Sequence, residues 1–287
     1  MAEPVGVIGL GLVGSALAER FLGAGLQVFG YDPVADQLRP LEALGGHPTG
    51  SAAEVATHCK RLVFSLPTSA VVLAVLEEID GELEPDNLIV DTTTGEPERT
   101  AAIAARLAER GVQYVDATIA GSSAQVRAGQ VVVMAGGDGL AYERAQELLS
   151  AFSERSFHVG PAGSGALMKL VVNLVLGLNR AVLAEGLSFA ERSGLSAALA
   201  LEVLKSGAAY SKAMDTKGQK MLDRDFEPQA RLAQHLKDVR LILATAERTG
   251  ALVPLSKMHK ELLERAEAAG LGEQDNSAIV EVFRDLP

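Results

Sequence analysis

Val5-Gly6-Val7-Ile8-Gly9-Leu10-Gly11-Leu12-Val13-Gly14 is an apolar run that passes into glycines spaced G-x-G-x-x-G, and a second run, Gln27-Val28-Phe29-Gly30-Tyr31-Asp32, ends on an acid. The spacing predicts a strand, a tight turn, a helix from about Leu12 to Ala24, and a second strand. Gly9 permits the turn, Gly11 lets the backbone approach a pyrophosphate, and Gly14 lets the helix pack closely on the sheet. The helix N-terminus then faces the phosphates. Gly9, Leu10, Gly11, Leu12, Val13 and Gly14 thus form one side of a dinucleotide clamp. Asp32, closing the second strand, accepts hydrogen bonds from a ribose diol and repels a 2′-phosphate, and no arginine follows until Arg39, so NAD is favoured over NADP. Asp32-Pro33 also reads as a helix N-cap with proline at the first helical position.

Further short apolar runs, Arg61 to Leu66, Leu88 to Asp91, Gln113 to Asp116 and Val131 to Met134, alternate with helical segments through about residue 160. That alternation predicts an α/β fold, a doubly wound, largely parallel sheet with helices on both faces. After Gly160-Pro161-Ala162-Gly163-Ser164-Gly165 helical patterns dominate, which sets a dinucleotide-binding domain over 1–162 and an all-helical domain over 163–287. Amphipathic segments at Ala230 to Thr249 and Pro254 to Ala269 fit a bundle. Their leucine and alanine surplus suits either packing within the chain or an interface in a homodimer or homotetramer.

The formal net charge of -11 argues against nucleic acid and anionic membrane surfaces. Cys59 is the single cysteine, which excludes an intrachain disulfide and a thiolate metal cluster within one chain. Met1-Ala2-Glu3-Pro4 carries no positive region ahead of the first apolar run, so a cytoplasmic setting is expected. The leucine- and valine-rich stretch from Ala166 to Ala190 contains Lys169, Asn173, Arg180 and Glu185, and reads as a long buried helix with a polar stripe rather than a membrane span. The five histidines are scattered without ligand spacing, so no metal site is expected.

In such sheets chemistry sits beyond the carboxyl ends of the strands. Leu66-Pro67-Thr68, Thr92-Thr93-Thr94-Gly95 and Asp116 through Ser123 are the segments so placed. The threonines suit either a nicotinamide ribose or the cap of the helix starting near Pro97. Ala120-Gly121-Ser122-Ser123-Ala124 offers hydroxyls and backbone N–H groups for a small anionic substrate, or a plain turn and helix cap. Lys169 and Asn173 lie four apart on one helical face, with Gly165 and Gly177 on the same stripe, so a lysine able to exchange protons converges there with an amide. A lysine snorkelling from an apolar helix accounts for the same pattern.

On these residues the chain resembles the beta-hydroxyacid dehydrogenases, the family of 3-hydroxyisobutyrate dehydrogenase and, more distantly, 6-phosphogluconate dehydrogenase. Ile8 to Gly14 is similar to the family opening, with Val13 where methionine is usual. Leu66-Pro67 resembles its Leu-Pro, and Asp91 to Pro97 its Asp-x-Ser-Thr-x-x-Pro, which implies a cofactor contact at Thr94. Gly163 to Asn173 resembles its Gly-x-Gly run into the catalytic lysine, implying that role for Lys169 with Asn173 beside it. Lys237-Asp238 and Asp275-Asn276-Ser277-Ala278 match later family motifs, and Lys237 is implied to close over the nicotinamide. Asp116-Ala117-Thr118-Ile119-Ala120-Gly121-Ser122 departs from the family's Asp-Ala-Pro-Val-Ser-Gly-Gly: Ala120 lacks the substrate-binding hydroxyl, leaving Gly121, Ser122 and Ser123 to hold the anion. The resemblance implies an NAD-dependent enzyme moving hydride to or from a small beta-hydroxy acid or its semialdehyde. An imine reductase on the same architecture, in which another proton donor generally stands at the lysine position, and a catalytically silent dinucleotide-binding sensor are the rivals.

Overall fold

A computed structural model describes residues 3–284. Valine- and isoleucine-rich runs that alternate with helices fold here as the pattern dictates. In chain order come β1 (Val5–Ile8), α1 (Leu12–Gly23), β2 (Val28–Tyr31), α2 (Arg39–Ala43), β3 (His47–Pro48), α3 (Ala52–His58), β4 (Arg61–Phe64), α4 (Ser69–Glu78), β5 (Leu88–Asp91), α5 (Pro97–Ala108), β6 (Gln113–Ala120), α6 (Ser123–Arg127), β7 (Val131–Gly137), α7 (Gly139–Phe152) and β8 (Ser153–Gly160). Among the described residues they form one eight-stranded sheet in the order β3-β2-β1-β4-β5-β6-β7-β8, parallel except where β7 runs antiparallel to β6.

Side chains on successive strand residues point to opposite faces, and the core divides accordingly. Val5, Val7, Val28, Val63, Val90 and Val115 pack on one face with Leu17 and Phe21 of α1 and Leu148 and Phe152 of α7. Ile8, Leu62, Phe64, Ile89 and Tyr114 pack on the other with Val55, Leu76, Ile103 and Leu107 of α3, α4 and α5. Each fully buried leucine or phenylalanine contributes about 1.5–3 kcal/mol. Buried Cys59 belongs to the second face, and burial pushes its thiol up to about 12.

Three features differ from the sequence reading. β3 and β8 are additional strands at the sheet's two edges, where Ser153, Glu154 and Arg155 need not be apolar. β6 continues to Ala120, so Thr118, Ile119 and Ala120, expected in a loop, pair with Met134, Val133 and Val132 of β7. The stretch expected as a buried helix is α8 (Ser164–Arg192), which leaves Val171, Val175, Val182 and Phe189 exposed. Among the described residues α8 is long and apolar enough to cross a membrane by length and composition alone, a test that the core helix of a soluble protein also passes.

Contacts divide the chain into two compact units, one ending at Lys169 and one starting at Leu170, inside α8. The second unit continues with α9 (Ala197–Ser206), α10 (Lys212–Asp223), α11 (Leu232–Thr249), α12 (Pro254–Ala266) and α13 (Val280–Arg284). Leu183, Leu187, Met221, Leu236, Leu263 and Ile279 build its core.

Candidate dinucleotide and acid–base site

The strand order turns at β1, which pairs with β2 on one side and β4 on the other, so the loop after β1 opens at the topological switch point. Gly9 there has φ +91, and a Cβ on it would lie 2.4 Å from the Ser65 carbonyl oxygen. A Cβ on Gly14 would lie 1.8 Å from the Gly9 carbonyl oxygen, while one on Gly11 would meet nothing within 4 Å. The tight turn, close helix packing and open approach expected of the three glycines are all present. Leu12, the first residue of α1, is exposed beside this opening, whereas Leu10 is fully buried and Val13 packs partly against the core. The cradle fits a pyrophosphate.

Asp32 Oδ2 accepts from the Leu10 N–H at 2.8 Å, which ties the carboxylate to the glycine loop, and Oδ1 accepts from the Val34 N–H at 2.9 Å. The expected N-cap is therefore replaced by a local turn: the helical turn that follows is a 3-10 segment starting at Ala35. One lone pair on each oxygen remains for a ribose hydroxyl.

At the ends of β4 and β5, Thr92 Oγ1 donates to the Phe64 carbonyl at 2.7 Å, and Thr93 Oγ1 accepts from the Leu66 N–H at 3.2 Å. Neither caps α5, whose N-cap residue is Glu96; instead both lock the Leu66-Pro67 turn to the β5 end. Thr94, the one partly exposed threonine of the three, follows β5 at the same carboxyl end of the strands.

At the end of β6, Gly121 has φ +153, and a Cβ there would meet Val131 at 2.5 Å, so only glycine fits. Ser122 caps α6: its hydroxyl accepts from the Gln125 N–H, and the Gln125 side chain accepts from the Ser122 N–H at 2.9 Å. This capping box, spelled Ser-x-x-Gln, engages the Ser122 hydroxyl and leaves Ser123 as the other hydroxyl of the loop.

Lys169 is seated by a group of buried contacts that sequence reasoning missed. Asp116 on β6 accepts from the Gly163 and Ala166 N–H groups at 2.9 and 2.7 Å, holding the first turn of α8. Thr118 Oγ1 donates to the Gly165 carbonyl at 2.8 Å, and Gly165 lies so close that a Cβ would be 2.4 Å from the Asp116 carbonyl oxygen. With the helix so placed, half-buried Lys169 donates from Nζ to the Ile119 carbonyl at 2.7 Å, beside the Ala120-Gly121-Ser122 segment. Burial lifts the Asp116 carboxyl to about 7 against the pull of those two N–H groups, and nearby Asp91 adds to the lift.

In the second unit, buried Asn173 donates from Nδ2 to Asp238 Oδ2 at 2.9 Å, and Lys237 Nζ lies 3.8 Å from Asp238 Oδ1. Asp238 therefore fixes which end of the Asn173 amide is committed. Gly177 admits the rings of His235 and His259, whose centroids are 5.2 Å apart; a Cβ on Gly177 would be 2.4 Å from His235 Nε2.

Residues 4–160 match the family described as the NAD binding domain of 6-phosphogluconate dehydrogenase, and residues 163–283 the one described as NAD-binding of NADP-dependent 3-hydroxyisobutyrate dehydrogenase. The chain is 30% identical to glyoxylate/succinic semialdehyde reductase 1 of Arabidopsis thaliana over 98% of both chains. It is likewise 30% identical to 2-(hydroxymethyl)glutarate dehydrogenase of Eubacterium barkeri, over 98% of this chain and 95% of that protein. The solved 3-hydroxyisobutyrate dehydrogenase of Mycobacterium tuberculosis, described with L-serine, superposes with a TM-score of 0.91 at 26% identity, covering 99% of this chain and all of that one. With family models matching residues 4–160 and 163–283 and a 30% identical relative covered over 98% of its length, the chain belongs to the beta-hydroxyacid dehydrogenase family of NAD(P)-binding oxidoreductases.

Proposed function

We propose that this protein is an NAD-dependent dehydrogenase or reductase acting on a small beta-hydroxy acid or its semialdehyde, with Lys169 as general acid and base. The observation that carries the reading is the Lys169 ammonium, half-buried and held at 2.7 Å from the Ile119 carbonyl at the mouth of the Gly121 loop. A proton donor fixed beside a loop of hydroxyl and backbone donors suits an alkoxide developing next to an anionic group.

The bound dinucleotide supplies or accepts the hydride. Gly9 through Gly14 would take its pyrophosphate and Asp32 its adenine ribose, while Leu66, Pro67, Thr94 and Lys237 would hold the nicotinamide end. Asp32 supports NAD over NADP, since a 2′-phosphate would meet its carboxylate. In oxidation neutral Lys169 accepts the hydroxyl proton; in reduction its ammonium returns it to the same oxygen. Asn173, its amide oriented by Asp238, aligns that oxygen. Gly121 and Ser123 hold the substrate anion, with Ser122 shaping the loop through its cap.

The exposed apolar residues Val171, Val175, Val182 and Phe189 of α8, with Leu199 and Val203 of α9, support a homo-oligomer formed through the second unit. An acidic balance and a single buried cysteine support a cytoplasmic setting without nucleic-acid partners.

The test is NADH production across 3-hydroxyisobutyrate, glycerate, threonate and serine, repeated with Lys169→Ala. Saturable turnover that falls about 10²–10⁴-fold in the variant, with NADH affinity unchanged, is expected. Full turnover in the variant overturns the lysine assignment. Tight NADH binding with no turnover by the wild type points to the sensor reading, and turnover of cyclic imines alone to the imine reductase.

A further inference from the structure

Arg180 lies on the face of α8 that also carries Gly177, Ala184 and Leu187, all buried, and is itself only 3% exposed. An arginine is almost never so buried unless paired. The carboxylate within electrostatic reach is Asp275, whose own residue is fully buried. Its oxygens are already taken: they accept from Lys217 Nζ at 2.8 and 2.9 Å, from the backbone N–H groups of Gln229, Ala230 and Ser277, and from Ser277 Oγ. Lys217 thereby neutralises Asp275, and among the described residues no acceptor takes Arg180 Nε or Nη2.

His259 adds a second unmet group. It is 2% exposed, its Nε2 has no partner among the described residues, and burial followed by the Arg180 charge brings its imidazole down to about 4. The ring is therefore neutral at physiological pH, with one nitrogen available as a donor. Arg180, Lys217 and Asp275 together leave one positive charge inside the bundle, where Arg180 Nε and Nη2 and His259 Nε2 are buried without partners among the described residues. Such an arrangement calls for a negative guest.

We propose that the interior of the second unit binds a small monovalent anion of chloride size on the Arg180 guanidinium, with the His259 Nε2–H as a further donor. Occupancy would tie the stability of the helical unit to the anion concentration of the medium.

Thermal unfolding at constant ionic strength, with chloride replacing the bulkier gluconate, tests this in wild type and in Arg180→Met, which keeps the volume without the charge. In wild type the unfolding equilibrium constant should fall tenfold for each tenfold rise in chloride above its Kd, and Arg180→Met should show no such dependence. Crystals grown in bromide should carry an anomalous peak at the guanidinium, a readout that stands whether or not the variant folds. Equal chloride responses in the two proteins, or a bromide-free position held by water alone, would overturn the proposal.

Discussion

Asp116 Oδ2 accepts the Ala166 N–H at 2.7 Å, so a carboxylate on the sheet holds the helical turn that carries Lys169. Positioning of the candidate acid thus depends on a group that is itself titratable near neutrality. Because its folded value, about 7, lies above the ordinary carboxylate value of about 3.9, the folded chain holds a proton there that the unfolded chain releases. The stability this contributes is fully present below about pH 3.9 and is lost as pH rises through about 7. Urea midpoints from pH 5 to 8 should show wild type losing stability relative to Asp116→Asn, by at most about 1.4 kcal/mol per pH unit. Parallel curves would remove Asp116 as the source.

Asp32 has two duties that one substitution separates. Asp32→Ala removes the acceptor for the Leu10 and Val34 N–H groups, costing about 1–3 kcal/mol in the free protein. On the proposed reading it also weakens NADH by about 10–100-fold while leaving NADPH much less affected, because hydrogen bonds to a charged group are worth about 1.5–3 kcal/mol. Fluorescence titration with both dinucleotides measures the split; equal losses for the two would remove Asp32 from cofactor choice.

The two serines of the loop should behave differently. Ser122→Ala deletes the cap of α6 and should lower stability by about 1 kcal/mol with little change in KM. Ser123→Ala should leave the unfolding midpoint in place, within about 0.5 kcal/mol, and raise KM for the anionic substrate. The reverse pattern in melts and kinetics would place the substrate contact on Ser122.

Gly177→Ala places a methyl 2.4 Å from His235 Nε2 and 2.7 Å from His259 Cε1. The overpacking should cost about 1–3 kcal/mol, read from denaturant midpoints at constant m-value. A neutral result would mean that the two rings shift freely.

What could be read from the residues follows a physical division. Local periodicity and glycine spacing announced β1, α1, β2 and the long helix carrying Lys169 and Asn173, because those signals lie within single elements. β8 escaped because an edge strand such as Ser153 to Gly160 need not be apolar. Thr92 and Thr93 could be placed beside the site, but their partners, Phe64 and Leu66, belong to a neighbouring strand end that only the sheet order brings near. Asp238 stood in a recognisable Lys-Asp pair, yet its hold on Asn173 spans 65 residues of chain, and the hold of Asp116 on Ala166 spans 50. Long-range pairing of that kind leaves no periodic trace.

The three fingerprint glycines carry different information. Gly9 and Gly14 are demanded by the chain's own backbone, 2.4 Å and 1.8 Å from carbonyl oxygens, and would be retained by a descendant that had abandoned its cofactor. Gly11 has open space around it, so nothing in the bare protein would punish its loss. Among descendants of this fold, an intact first and third glycine records ancestry, and drift at the second is the place where disuse would first be written.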